Sequence, residues 1–258
     1  MTEIRDAFSR GKAFVAFVTC GDPDLETTAE VIRALVGNGV SLIELGIPFS
    51  DPTAEGPVIQ AANERALKAG TTTDRIFDMV AEVRRDVTVP MVFMTYANVV
   101  FSYGTERFLD RCVELDIQGI ILPDVPFEEK ADFDPQCRER GLALVSMVAP
   151  TSESRISMIA SEAYGFVYVV SSLGVTGVRS SITTDIGSMT SLIRKSTDVP
   201  CAVGFGISTP EQARTMAEHA DGIIIGSAIV RLVGQYGRDA PAHVGDYARS
   251  IREALDGM

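Results

Sequence analysis

The chain has 258 residues, 46% of them hydrophobic, and a formal net charge of -12. That suffices for one large domain, residues 1–258, with a substantial core. The acidic balance excludes a nucleic-acid surface, which needs clustered Lys and Arg. No apolar run approaches the ~20 residues of a membrane span, and the first residues lack the basic-then-apolar order of a signal peptide. Cys20, Cys112, Cys137 and Cys201 show no Cys-x-x-Cys spacing, so they read as buried free thiols in a reducing cytoplasm.

Ile4, Ala7 and Phe8 predict a short amphipathic helix, placed to plug a barrel from below. Ala13 to Thr19 is the first strand, and Leu25 to Val36 a helix closed by Gly37-Asn38-Gly39. The second strand ends at Leu45 and runs into a long Pro/Gly loop. Pro57 opens a helix through Lys68, and Thr73 to Val87 forms another, with Ile76, Met79, Val80 and Val83 at helical spacing. Then strands alternate with helices: strand Pro90–Tyr96, helix Thr105–Leu115, strand Gln118–Leu122, and a helix Glu128–Arg140 interrupted near Pro135. Strand Leu142–Val148, helix Glu153–Ala163, strand Phe166–Val170 and helix Asp185–Ser196 follow. Strand Pro200–Val203, helix Pro210–His219, strand Gly222–Ile225 and helices Ser227–Val233 and Ala242–Leu255 complete the series.

Eight short apolar strands, each followed by helix, predict a single (β/α)8 TIM barrel with an N-terminal helix and extra helices. A doubly wound open sheet is the structural rival, but no G-x-G-x-x-G fingerprint follows the first strand. In a barrel the chemistry sits at the C-terminal strand ends, where Glu44, Tyr96, Asp124 and the loop carrying Glu55 all fall. Glu44 stands inside the apolar run Leu42 to Leu45. A carboxylate there must be paired or protonated, and a raised pKa suits proton transfer near neutrality. The other reading of Glu44 is a structural ion pair at a strand end.

Gly204-Phe205-Gly206-Ile207-Ser208 follows the seventh strand, and Gly226-Ser227-Ala228-Ile229-Val230 follows the eighth and opens a helix. Each glycine alone could merely end a strand. Together, at these two strands, they predict a phosphate site, where oxygens approach backbone N–H groups with no Cβ in the way. The sixth loop, Gly174 to Ser181, is rich in small residues and reads as a lid or a connector; Gly177 could add an N–H to the phosphate. His219 and His243 lie late on helix patterns and read as surface residues. No His/Cys cluster for zinc exists. None of Lys12, Lys68, Lys130 and Lys195 stands at a strand's C-terminal end, which argues against a Schiff-base aldolase. Carboxylate acid–base chemistry on a phosphate ester remains, with Tyr96 and Tyr168 as helpers.

These stretches, with Phe17-Val18-Thr19-Cys20-Gly21-Asp22-Pro23, Glu44-Leu45-Gly46-Ile47-Pro48-Phe49-Ser50-Asp51-Pro52, Tyr96-Ala97-Asn98, Asp124-Val125-Pro126 and Gly174-Val175-Thr176-Gly177, resemble the tryptophan synthase alpha subunit family from end to end. The resemblance implies retro-aldol cleavage of indole-3-glycerol phosphate to indole and glyceraldehyde 3-phosphate, in tryptophan biosynthesis. By that pattern Glu44 is the acid–base residue and Glu55 the carboxylate at the indole N–H. Gly177, Phe205, Gly206, Gly226 and Ser227 would hold the phosphate, and Thr176 would also bind substrate. Phe17, Met94, Tyr96 and Tyr168 would line the indole pocket, or else simply pack the core. It implies no cofactor in this chain, and an alpha2beta2 complex with a beta subunit carrying pyridoxal phosphate, sensed by Asp51-Pro52 and the sixth loop.

One departure stands out: the family usually has aspartate where this chain has Glu55. A misplaced catalytic group can lose on the order of 10²-fold in rate, so either the loop sits back to accommodate the longer arm or the isolated subunit is slow. A different phosphate-binding barrel, such as a sugar-phosphate isomerase, and a catalytically weak subunit that activates a partner are the competing readings.

Overall fold

A computed structural model describes residues 3–170, 185–204 and 206–258. Within them the strands are β1 (Ala13–Thr19), β2 (Leu42–Gly46), β3 (Met91–Met94), β4 (Gly119–Ile121), β5 (Ala143–Leu144), β6 (Ser146–Val148), β7 (Val167–Val170), β8 (Cys201–Gly204) and β9 (Gly222–Ile225). All pairings are parallel, in the order β5-β4-β3-β2-β1-β9-β8-β7-β6. The two ends of that order are consecutive in the chain. Only Val145 separates them, and its N–H still donates to the Ile120 carbonyl at 2.9 Å. The expected fifth strand is therefore broken into β5 and β6, and the sheet comes round into the expected barrel.

The helices are α1 (Leu25–Gly37), α2 (Pro57–Lys68), α3 (Thr73–Val83), α4 (Ala97–Tyr103), α5 (Thr105–Glu114), α6 (Asp134–Glu139), α7 (Glu153–Ser161), α8 (Ile186–Ser196), α9 (Pro210–Ala217), α10 (Ser227–Tyr236) and α11 (Ala240–Asp256). Three differences from the sequence reading have physical causes. The N-terminal segment is a 3-10 turn, Ile4–Phe8, yet it packs as a plug, with Phe8 and Phe166 rings 5.9 Å apart. The segment before α6 is also 3-10, Phe127–Asp132, because Pro135 at the start of α6 lacks the N–H to continue it. Helix α4 was not expected at all. Its first N–H, on Ala97, is capped by both carboxylate oxygens of Asp124 at 3.1 Å, a partner supplied by the next strand's loop.

Side chains alternate across each strand. Phe14, Ala16, Ile43, Leu45 and Phe93 face the helix layer, whereas Val15, Phe17, Leu42, Val92, Met94 and Ile224 fill the barrel. Glu44 lies between Ile43 and Leu45 and so points inward. The register sets it beside Phe17 on β1 and Val92 on β3.

One ion pair ties the top of the barrel together. Asp22, 2% exposed, accepts from Arg65 Nε and Nη2, each at 2.7 Å, joining the loop after β1 to α2. Arg65→Met leaves that carboxylate buried and unpaired, and lowers unfolding stability by about 3 kcal/mol, the low end for such a break because Arg65 is partly exposed. Urea titration measures it, and the double variant with Asp22→Asn loses much less.

Candidate active site

The predicted acids meet at the mouth. Gly46 ends β2 where a Cβ would fall 2.5 Å from Phe17 Cζ, so the strand closes tightly over the aromatic ring. Two residues back, Glu44 is 1% exposed, and neither carboxylate oxygen has a hydrogen-bond partner among the described residues. Burial, and then the nearby charge of Glu55, push its pKa up to about 8. Burial favours its neutral form, and no cation among the described residues pairs with it, which counts against the ion-pair reading.

Glu55 is also buried, at 5% exposure. Its Oε2 accepts from Asn63 Nδ2 at 2.6 Å, and the Tyr96 hydroxyl bonds to the carboxylate as well. Burial raises this group to about 6, against the pull of those two donors. Glu55 therefore stays closer to the ionised form than Glu44 does. Neither Tyr96 nor Glu55 is among the residues that line the small cavity beside Glu44. The Tyr96 hydroxyl accepts from the Ala54 N–H at 3.2 Å and its ring packs on Phe49 with centroids 5.1 Å apart, which ties it to the loop carrying Glu55. Burial and the Glu55 charge keep its phenol protonated.

A small cavity of about 30 Å³ lies beside Glu44. Phe17, Met94 and Tyr168 give it apolar lining, and Gly206, Gly226 and Ser227 line it too, Gly226 lying directly against Phe17. Sequence reasoning missed Ile59, Ile207 and Ile224, which also line it and carry no signal beyond apolar periodicity. The Tyr168 phenol is buried and raised, by burial first and then by Glu44. A larger cavity, about 230 Å³, lies beside α7 with Phe127, Lys130 and Arg155 in its wall, and contains none of the predicted site residues. Chemistry, not size, identifies the smaller one.

The glycine end has the geometry an anion needs. Gly206 adopts φ +88°, a conformation that excludes ordinary side chains. The loop that follows is braced: Ser208 N–H donates to Gln212 Oε1 at 2.8 Å, and the Tyr247 hydroxyl donates to the Ser208 carbonyl at 3.0 Å. Gly226 is the N-cap of α10 and Ser227 its first residue. Val230 N–H bonds back to the Gly226 carbonyl at 3.0 Å, so the amides of the turn before it have no partner within the helix. Together with the helix dipole they attract a phosphate. Thr176, Gly177 and Phe205 lie outside the described residues, as does the rest of the sixth loop.

A buried neutral acid, a buried carboxylate, an apolar slot and an anion cradle now stand together. A family model described as tryptophan synthase alpha chain matches residues 5–255. The chain belongs to the tryptophan synthase alpha chain family. It is 47% identical to the tryptophan synthase alpha chain of Lactiplantibacillus plantarum over 258 residues, covering 100% of this chain and 97% of that one. It is 46% identical to that of Lacticaseibacillus casei, covering 99% and 96%. The crystal structure of the alpha chain from Legionella pneumophila superposes with a TM-score of 0.89 at 34% identity, covering 100% and 98%. A structure from Pyrococcus furiosus, described as a tryptophan synthase a2b2 complex, gives 0.85 at 33% identity, covering 94% and 98%.

The alpha-chain family carries no cofactor of its own; pyridoxal phosphate belongs to the beta subunit. Among the described residues no group of three His, Cys, Asp or Glu could hold a metal ion, and no helix is long and apolar enough to cross a membrane. Both histidines are exposed, as the sequence suggested.

Proposed function

We propose that this chain performs the alpha-chain lyase reaction, cleaving indole-3-glycerol phosphate, with Glu44 as the acid–base group and Glu55 as the carboxylate at the indole N–H. The carrying observation is that two acids are buried in unlike surroundings, Glu44 with no hydrogen-bond partner among the described residues and Glu55 held by Asn63, the kind of difference that separates acid and base roles. The ring's C3 leaves poorly until it is protonated. Neutral Glu44 gives its proton to C3, and ionised Glu55, bonded to the ring N–H, stabilises the cation. The resulting Glu44 carboxylate then takes the proton of the hydroxyl on the adjacent glycerol carbon. The C–C bond breaks, its electron pair returns to the ring, and indole and glyceraldehyde 3-phosphate result.

In this reading Phe17, Met94 and Tyr168 enclose the indole, and Tyr96 acts through Glu55. The phosphate sits on Gly206, Gly226 and Ser227, completed by Thr176, Gly177 and Phe205. The whole chain, 1–258, works as one barrel domain in the cytoplasm, consistent with four unpaired, buried thiols. The test is indole release from indole-3-glycerol phosphate by the purified chain, alone and with a beta subunit. No indole under either condition overturns the reading.

The same reading puts a beta subunit, as in the Pyrococcus complex, over the barrel mouth. Helix α4 leaves that mouth and carries Phe101, 54% exposed and the most exposed large hydrophobic among the described residues. Asp51 is exposed on the neighbouring loop. Phe101→Asp weakens the complex by about tenfold or more, as loss of an aromatic anchor does. Titration of the chain into beta subunit, followed by sedimentation, measures it, and unchanged affinity moves the interface elsewhere.

A further inference from the structure

We propose that Asn63 is a positioning residue that anchors the Glu55 carboxylate at the reach its longer arm requires; the inference rests on the lyase reading above. Helix α2 buries Ile59, Ala62, Asn63 and Ala66, one stripe at helical spacing. Asn63, 4% exposed, is the polar member of that stripe. A buried amide is tolerated when its hydrogen bonds are made, and this one spends its N–H on Glu55 Oε2 at 2.6 Å. From the same helix, Gln60 Nε2 donates to the Glu55 backbone carbonyl at 2.7 Å. Glu55 is thus held at both ends by one helix, which itself packs on β1 and α10.

With Oε2 fixed, the direction in which the carboxylate presents its other oxygen is narrowed. The anchor also favours the charged form. The acidic groups facing Glu55 are Glu44 on β2 and, beyond Tyr96, Asp124, so the bonds from Asn63 and Tyr96 are what hold its charge against burial. Arm length is the decisive point. An aspartate, one methylene shorter than the Glu55 that meets Asn63 at 2.6 Å, is expected to fall short of it unless the loop moves. An aspartate facing a glutamine spans the same number of methylenes as the native glutamate facing asparagine.

The experiment compares Glu55→Asp, Asn63→Gln and their combination in the full chain, using kcat, KM and pH profiles of indole release. Each single variant loses about tenfold to 10²-fold, in kcat rather than KM, the scale of a misplaced catalytic group. The combination recovers about tenfold over either single, which general weakening of the fold does not produce. Melting curves confirm that each variant folds, and Glu55→Asp touches no apolar packing.

A second readout needs no turnover. By carbon-13 NMR, the Glu55 carboxylate titrates at higher pH in Asn63→Ala than in wild type. If the wild-type chain releases no indole, the lyase reading fails while this titration still tests the anchor. Full activity in Glu55→Asp, a combination as poor as its worse parent, or an unmoved titration overturns the proposal.

Discussion

Glu44→Gln releases no measurable indole, yet above pH 8 it melts at a higher temperature than wild type. The loss follows from the role: the amide cannot give a proton to C3 or take one from the glycerol hydroxyl, and such transfer contributes about 10²–10⁴-fold. The gain follows from linkage. The Glu44 pKa is raised on folding from 4.5 to about 8. Its protonated form is therefore the one the fold accepts. That contribution is fully present below the unfolded value and is lost as pH rises through the folded one. Glutamine has no proton to lose, so the difference between the variants is small at pH 5 and largest at pH 9. Calorimetry at both pH values measures it. A variant that is inactive but equally stable at both would mean Glu44 is not desolvated as described.

Glu55→Gln keeps the fold and lowers kcat/KM by about 10²–10³-fold, the scale of removing one group that stabilises developing charge. It also changes the shape of the pH profile. Wild type shows a bell. Below about 6 Glu55 takes up a proton and no longer balances the ring cation; above about 8 Glu44 has lost the proton it must give. In Glu55→Gln the acid limb disappears and only the fall at high pH remains. An acid limb that survives the substitution assigns it to another group, and wild-type activity in the variant removes Glu55 from the mechanism.

The barrel was legible because its signals are local. Apolar runs such as Phe14 to Val18 and Ile223 to Ile225, each ended by a turn or helix start, mark buried parallel strands one at a time. Glu44 was legible for the same reason: a charge inside such a run is an exception with a cause. What escaped was set by distant partners. Helix α4 begins where Asp124 caps it, a contact between loops that no window contains. The break at Val145 comes from how the ring closes. The contacts of Tyr96 with Ala54 and Glu55 likewise join a strand end to a distant loop, and only the family resemblance pointed to a place for it in the indole pocket. Asn63 did leave a trace, a polar residue on the apolar stripe of α2, which reads as an error in the pattern until its partner is seen.

The brace from Tyr247 to the Ser208 carbonyl joins the loop proposed to hold the phosphate to the long helix α11. That helix is made on the ribosome after every strand of the barrel. A nascent chain can thus complete its ring and already own both acids, yet grip phosphate loosely until α11 emerges and docks between α1 and α9. On that proposal substrate capture is the last competence acquired during synthesis, and a prematurely terminated chain is expected to fail by weak retention of its anion rather than by loss of chemistry.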